Sequence, residues 1–456
     1  MKRKLHIIYY NTLKFLIAFG LRMFYRKHDI EGYHENVPKG KAVIFAGNHQ
    51  NALIDALNIV CTTPSDRQPS FMTRSDIFIP SVKPILTSFK MLPIYRQQDG
   101  GDPVKQNEEI FATCVRRLRR NEALIIFPEG NHNRQRRLRP LKKGAARIAF
   151  LAEEDSDFTL GTQIVPVGLN YSKHRNFRGD LFVKYGKPVN TEDFHEAFKA
   201  NPQRTLIKVT QAISDSMKDC ILHIADKDNY DAIETLRMIY EVPMTQKQGL
   251  NPRRQGDIFA TGKKLIAAIE AKITENDPQW PEIAKIAGEY SESLKNHRWR
   301  DHVVAGGPYN LAGLLLYALS LILLFPIYLW GLINNYIPYK IPDYLALKLF
   351  RDDHFHSSIR AAVALIMFPF FYSLQTAIVW ALTDWKWAAA YLIALPLTGN
   401  FAYTYSVWVK KWYSRWKFSS LFRKNDLQVK DLVTKRKTLA NYLDSITSHV
   451  REIASH

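Results

Sequence analysis

Between Lys41 and about residue 190, short apolar runs alternate with longer stretches of helical period. The runs Ala42–Ala46, Pro69–Thr73, Leu92–Tyr95, Ala123–Phe127, Gln163–Leu169 and Leu181–Tyr185 predict strands. Helices are predicted near 52–60, 81–90, 103–120 and 140–153. This alternation implies an α/β layered domain with a central mixed sheet flanked by helices. Residues 191–305 read as polar and helical, with segments at 203–225, 230–241, 257–275 and 281–296 and a break marked by Pro243, Gly249, Pro252 and Gly256. At the N-terminus, a mostly apolar run to Tyr25 follows Met1-Lys2-Arg3-Lys4. Lys14 and Arg22 interrupt it, and no small-residue cleavage site follows, so it reads as a helix lying in a membrane interface or packed on a core, not as a signal peptide.

After residue 305 the pattern changes. Ala312–Trp330, Ala361–Leu382 and Trp387–Val409 carry no charged residue, and each is near the roughly 20 residues that span a bilayer. Trp and Tyr cluster at their ends, as interfacial belts require. Pro326 divides the first run. Three crossings would put either the α/β domain or the basic tail from Lys410 on the outer face, against the positive-inside tendency. The expected layout is therefore an interfacial helix over 1–30, an α/β domain over 31–190, a helical region over 191–305 and membrane segments over 306–409. Within the last, 306–338 is expected to be a re-entrant or surface-lying hairpin, with 361–382 and 387–409 a spanning pair. A basic amphipathic tail, rich in Trp and Tyr, fills 410–456.

Charge sharpens this picture. The net charge is +20 over 456 residues, which favours polyanions, either nucleic acid or the anionic cytoplasmic face of a membrane. The apolar runs favour membrane lipid as the partner over nucleic acid. Three scattered cysteines, Cys61, Cys114 and Cys220, suggest a reducing compartment and no disulfide scaffold. Asp352, Asp353, His354 and His356 are too close in sequence to converge readily on one ion, and no metal site is expected.

Four blocks carry chemical content. In the first, Gly47-Asn48-His49-Gln50-Asn51-Ala52-Leu53-Ile54-Asp55, a buried strand turns into a buried helix. Asn48 is placed to cap the helix, and a carboxylate follows His49. A histidine supported by a carboxylate can take a proton from an alcohol near neutral pH. The second block, Phe89-Lys90-Met91-Leu92-Pro93-Ile94-Tyr95-Arg96, ends a strand in a guanidinium suited to phosphate. In the third, Ile126-Phe127-Pro128-Glu129-Gly130, a carboxylate sits at the C-terminal edge of a strand, where open α/β sheets bind ligands. The fourth, Ile164-Val165-Pro166-Val167-Gly168-Leu169, holds a Pro that implies an edge or a bulge.

In this order the four blocks resemble the glycerolipid acyltransferase family. The stretches Phe127-Pro-Glu-Gly-Asn-His-Asn-Arg134, Leu141-Lys-Lys-Gly144, and Gly168-Leu-Asn-Tyr171 through Arg178 to Tyr185-Gly-Lys-Pro188 are similar to the fungal glycerol-3-phosphate/dihydroxyacetone-phosphate acyltransferase branch. The usual spacing of four residues between His and Asp is five here, a departure that branch shares. Asn131 and His132 stand where the family has a hydroxyl residue and Arg.

The resemblance implies that His49 is the general base and Asp55 its support. It implies that Arg96, with Arg74 and Lys90, binds the acceptor phosphate, that Glu129 and Gly130 hold the glycerol part, and that Pro166 shapes the acyl-donor side. The donor would be acyl-CoA or acyl-acyl carrier protein, with no metal or bound cofactor. Six basic residues, Arg134, Arg136, Arg137, Arg139, Lys142 and Lys143, read as a solvated or membrane-facing surface or as a site for the acidic donor carrier. Two other readings are a thioesterase or esterase using the same His–Asp pair, and a non-catalytic membrane scaffold.

Overall fold

The computed structural model describes residues 2–78, 80, 83–95, 102–131, 133, 135–172, 177–349 and 356–453. Two compact units emerge: Met1–His223 with Leu345–Leu365, and Ile224–Tyr344 with Ile366–His456.

The first unit contains, in order, α1 (Lys2–Phe24), β1 (Lys27–Glu31), α2 (Tyr33–Asn36), β2 (Val43–Gly47), α3 (Leu53–Thr62), β3 (Ser70–Arg74), α4 (Lys83–Ser88), β4 (Met91–Ile94), α5 (Pro103–Leu118), β5 (Ala123–Ile126), α6 (Gly144–Glu154), β6 (Gln163–Tyr171), β7 (Asp180–Tyr185), β8 (Val189–Asn190), α7 (His195–Ala200) and α8 (Pro202–Cys220). Its eight-stranded sheet has the order β1-β7-β6-β2-β5-β3-β4, with β8 also on β6. The ladder is parallel from β6 through β2, β5 and β3 to β4 and antiparallel between β6 and β7. The six expected strands are all present; β1 and β8 were too short and polar to be read from the pattern.

Alternation inside the continuous apolar run of β2 explains the layering. Val43 and Phe45 face a core completed by α1 and α3, while Ala42, Ile44 and Ala46 face a core completed by α5, α6 and α8. A strand buried on both faces needs no polar alternation. Pro166 lies where the antiparallel partner of β6 changes from β8, which ends opposite Ile164, to β7, which begins opposite Val167. That gap is the local edge a proline requires.

Two expected boundaries move. The first helix does not stand apart: Tyr10, Ile17 and Leu21 enter the core, and the Lys14 ammonium donates to Thr63 O, Thr63 Oγ1 and Pro64 O at 2.7–3.0 Å. Its other face leaves Ile7, Ile8, Phe15, Leu16 and Phe19 exposed. Likewise α8, expected in the helical region, closes the sheet through Val209, Ile213 and Met217.

The second unit holds α9 (Tyr230–Lys247), α10 (Gln255–Thr274), α11 (Trp280–His297), α12 (Asp301–Ala305), most of α13 (Leu311–Leu349) and of α14 (His356–Leu382), α15 (Trp385–Arg423) and α16 (Leu427–Ile453). The hairpin expected over 306–338 is absent: α13 runs unbroken past Pro326. A proline removes one N–H bond from a helix, and apolar surroundings offer the freed groups no water, so the helix continues. Among the described residues, two helices, Leu311–Lys348 and Ile359–Leu382, are long and apolar enough to cross a membrane.

The reversal occurs between helices instead. Tyr309 N meets Ser419 Oγ, Trp412 Nε1 meets Leu314 O, Tyr405 Oη meets Leu321 O, and Asn335 Nδ2 meets Leu395 O. So α13 and α15 lie antiparallel along most of their length. A Cβ on Gly331 would fall 2.2 Å from Thr398 O, showing how closely the two backbones approach. Tyr372 and Tyr391 hydroxyls close the polar clasp on Asn335 and Asn334, each at 2.6 Å.

Candidate active site

At the C-terminal edge of the sheet, β2 ends at Gly47. A side chain there would run into Phe127, so glycine admits that ring. The His49 ring then stacks on Phe127 with centroids 4.3 Å apart. Asn48 does not cap α3 as expected. Its amide donates to Leu169 O at 3.1 Å and accepts from Leu169 N at 2.7 Å, so it extends the β2–β6 pairing by one side chain.

The turn into α3 is shaped by Asp55. The carboxylate is fully buried, and its Oδ2 accepts from His49 Nδ1 at 2.8 Å, Gln50 N at 2.8 Å and Asn51 N at 2.7 Å. Oδ1 accepts from the Tyr171 hydroxyl at 2.6 Å. Ala52, between these residues, has φ 47° and ψ −130°, backbone that a residue with a Cβ rarely adopts. The five-residue spacing from His49 to Asp55 is absorbed there, and the donors gathered by Asp55 hold the turn in place.

With Nδ1 giving its proton to a carboxylate, the acceptor lone pair of the ring lies on Nε2. A buried anion with four donors is well placed to support a positive charge on the ring.

A second carboxylate braces the same turn. Glu129 Oε1 accepts from His49 N at 3.0 Å, and Oε2 accepts from Arg139 N and Nε at 3.3 Å. Burial pushes the Glu129 carboxyl up from the usual range, with the His49 and Arg139 hydrogen bonds opposing. Gly130, at φ 76°, makes the tight turn, and Lys142 N closes on Pro128 O at 2.8 Å. Asn133 N on His49 O, and Gln50 Nε2 on Gln135 O, fold the segment after the turn over the histidine loop.

The structure sorts the remaining expected residues. His49, Asp55, Glu129 and Gly130 come together. The Glu129 carboxylate holds His49 N and Arg139, and so helps to shape the turn that carries the histidine. Arg74 ends β3 on the same sheet edge, where its guanidinium pairs with Asp76. Lys90 is a correction: it precedes β4, at the opposite edge from His49, and reaches Gln68 O and Glu122 at 3.4 Å. Pro166 is buried, its ring next to Gly186 and Cys220 on the α8 side of the sheet, so it packs there and does not line the site. Arg96 lies outside the described residues, as do Arg134, Asp352, Asp353 and His354.

Two members of the basic run are tied into the site by hydrogen bonds. Arg136 is 8% exposed and donates to Tyr171 O at 2.8 Å, and Arg139 holds Glu129. Lys142 and Lys143 remain exposed. Sequence reasoning gave Tyr171 and Phe127 no role beyond the motifs that contain them, read Arg139 as part of a basic surface, and did not single out Asn58. Only Asn58 had a local signal, lying three residues after Asp55 on α3.

Residues 29–170 match a family model described as Acyltransferase. Glycerol-3-phosphate O-acyltransferase 1 of Saccharomyces cerevisiae is 26% identical over 245 residues, covering 51% of this chain and 31% of that protein. A chloroplastic 1-acyl-sn-glycerol-3-phosphate acyltransferase, BAT2 of Brassica napus, is 27% identical over 37% of this chain and 43% of its own length. The chain thus spans less than half of either relative. The solved 1-acyl-sn-glycerophosphate acyltransferase PlsC of Thermotoga maritima is 19% identical, covering 44% of this chain and 78% of its own, with a TM-score of 0.32.

Proposed function

Residues 29–170 form a domain of the acyltransferase family, and from that premise we propose that this chain is a membrane-bound O-acyltransferase. It moves a fatty acyl group from a thioester to the hydroxyl of a glycerol-phosphate acceptor. The observation that carries the reading is the His49 Nδ1–Asp55 bond of 2.8 Å, which orients the ring so that Nε2 bears its acceptor lone pair.

The steps balance without metal or cofactor. His49 Nε2 takes the acceptor hydroxyl proton as the oxygen attacks the thioester carbonyl. Asp55 supports the imidazolium. The C–S bond breaks, and the thiolate leaves with the proton from Nε2. A thiol has a pKa of about 8.5, so it is a far better leaving group than an alcohol. Positioned base catalysis is worth roughly 10²- to 10⁴-fold.

Glycerol-3-phosphate is favoured over dihydroxyacetone phosphate or lysophosphatidate by the fungal branch motifs and by the printed name of the yeast relative. Coenzyme A or acyl carrier protein is the donor carrier, and exposed Lys142 and Lys143 suit either one's negative charge. The apolar helices support membrane residence, and the basic tail supports a cytoplasmic face for the catalytic unit.

Purified protein, a labelled acyl thioester and a panel of acceptors test this reading. Arg96→Ala is expected to raise the acceptor KM strongly and leave the thioester KM nearly unchanged. Arg96→Lys restores part of the loss, since an ammonium is a point charge and not a fork. Equal rates on uncharged glycerol refute a phosphate clamp, and release of free fatty acid without any acceptor refutes transfer.

A further inference from the structure

Behind the His49–Asp55 pair lies a row of buried polar groups that the steps above do not use. Oδ2 of Asp55 already holds three donors, and Oδ1 takes its bond from the Tyr171 hydroxyl at 2.6 Å. An ionised carboxylate has no proton to give, so the phenol is the donor. The Tyr171 oxygen accepts from Asn58 Nδ2 at 3.1 Å, and the same nitrogen reaches the Tyr25 hydroxyl at 3.0 Å. Asn58 and Tyr171 are almost wholly buried, and Tyr25 nearly so. Burial drives both phenols far above their ordinary range, so they stay protonated and keep their donor role.

The row joins distant parts of the chain. Tyr25 follows the end of α1, Asn58 lies one turn beyond Asp55 on α3, and Tyr171 ends β6. Arg136 fixes the Tyr171 backbone through its carbonyl. A purely packing role would be served as well by phenylalanine, and the short bond to a buried anion argues for more.

We infer that Tyr171, backed by Asn58 and Tyr25, is a positioning residue that sets how strongly His49 takes a proton, acting through Asp55. The inference rests on His49 being the base. The O–H dipole turns its positive end toward Asp55 and screens part of the carboxylate charge from the ring. Without it, the anion holds imidazolium more strongly, and Oδ1 loses the bond that helps to fix the carboxylate's plane. The acidic limb of the pH–rate profile then moves to higher pH, and turnover falls.

Other charged or titratable groups face this row. Glu129 and Arg139 brace the His49 turn, Arg136 holds Tyr171, and the His28 ring lies 5.6 Å from Tyr25. Burial pushes His28 down to about 4, so it is neutral at working pH. Glu129 can titrate on the acidic limb, so a readout specific to His49 is needed.

The experiment uses the full chain with Tyr171→Phe and, separately, with 3,5-difluorotyrosine placed at residue 171, a stronger donor of nearly the same shape. Two profiles are followed against pH: acyl transfer, and diethylpyrocarbonate modification of His49 measured on its peptide by mass spectrometry. Tyr171→Phe is expected to move both midpoints upward by about half a unit and to cut turnover on the order of tenfold. The fluorinated residue moves both midpoints downward with little loss of turnover. Unchanged midpoints in both variants overturn the inference, whatever happens to the rate. The modification profile needs no substrate, so it still decides the matter if the chain proves inactive on every thioester. Should Tyr171→Phe fail to fold, the fluorinated protein carries the test alone.

Discussion

Replacing Asp55 by Asn removes one charge and keeps the outline of the side chain. The amide oxygen can still take the three donors now on Oδ2, and the amide nitrogen can face the Tyr171 oxygen, so the turn from Gln50 to Ala52 survives. What disappears is the anion against the ring when His49 becomes charged. A pair of unit charges about 4 Å apart at an effective dielectric near 20 is worth roughly 4 kcal/mol. At about 1.4 kcal/mol per decade, the loss in turnover is roughly a thousandfold. Stability should move little, because the variant is also spared the burial of a charge. Release of coenzyme A thiol, followed with a chromogenic disulfide beside a thermal melt, measures both. Turnover within tenfold of the parent, or a loss that tracks a collapse in melting temperature, refutes the electrostatic account. His49→Ala sets the floor, since it removes the base itself.

Two further outcomes follow from parts away from the chemistry. Burial pushes the Lys14 ammonium down to about 8 from 10.5. Between those values the unfolded chain binds the more protons, so stability rises with pH across that window. Lys14→Met should flatten that rise in denaturant titrations at pH 8, 9 and 10, and an unchanged slope refutes the assignment. Single cysteines at Asn310 and Lys424 should be modified from the same side of a membrane, because Tyr309 and Ser419 meet where α13 begins and α15 nears its end; modification from opposite sides refutes that arrangement.

What the sequence disclosed depended on how far apart the partners lie. His49 and Asp55 sit on one turn, so a strand-to-helix pattern was enough to pair them. Tyr171 is 116 residues from Asp55, and only the β6–β2 register carries it there. Lys90 was drawn toward the site by closeness in sequence to Arg96. Lys90 precedes β4, which puts it at the N-terminal edge of the parallel strands, whereas His49 follows the C-terminal end of β2. Asn48 was read by the commonest role of its type, capping, whereas a strand neighbour one bond away outcompeted the helix. Pro326 was read as a break by the rule for helices in water, which loosens where water is absent.

The long antiparallel pair has a consequence of its own. Thirty-nine residues of helix measure about 58 Å, nearly twice the roughly 30 Å of bilayer hydrocarbon. The surplus at the end where Trp412 meets Leu314 carries Lys410, Lys411, Arg415, Lys417 and Arg423, with the Arg415 guanidinium 4.6 Å from the Tyr309 ring. Each such cation gains about 1 kcal/mol at an anionic surface. Acylating a glycerol phosphate yields a lipid that is itself anionic. If the proposed reaction is this chain's, each turnover adds to the membrane the charge that such a collar binds, and a leaflet stripped of acidic lipid would loosen its hold.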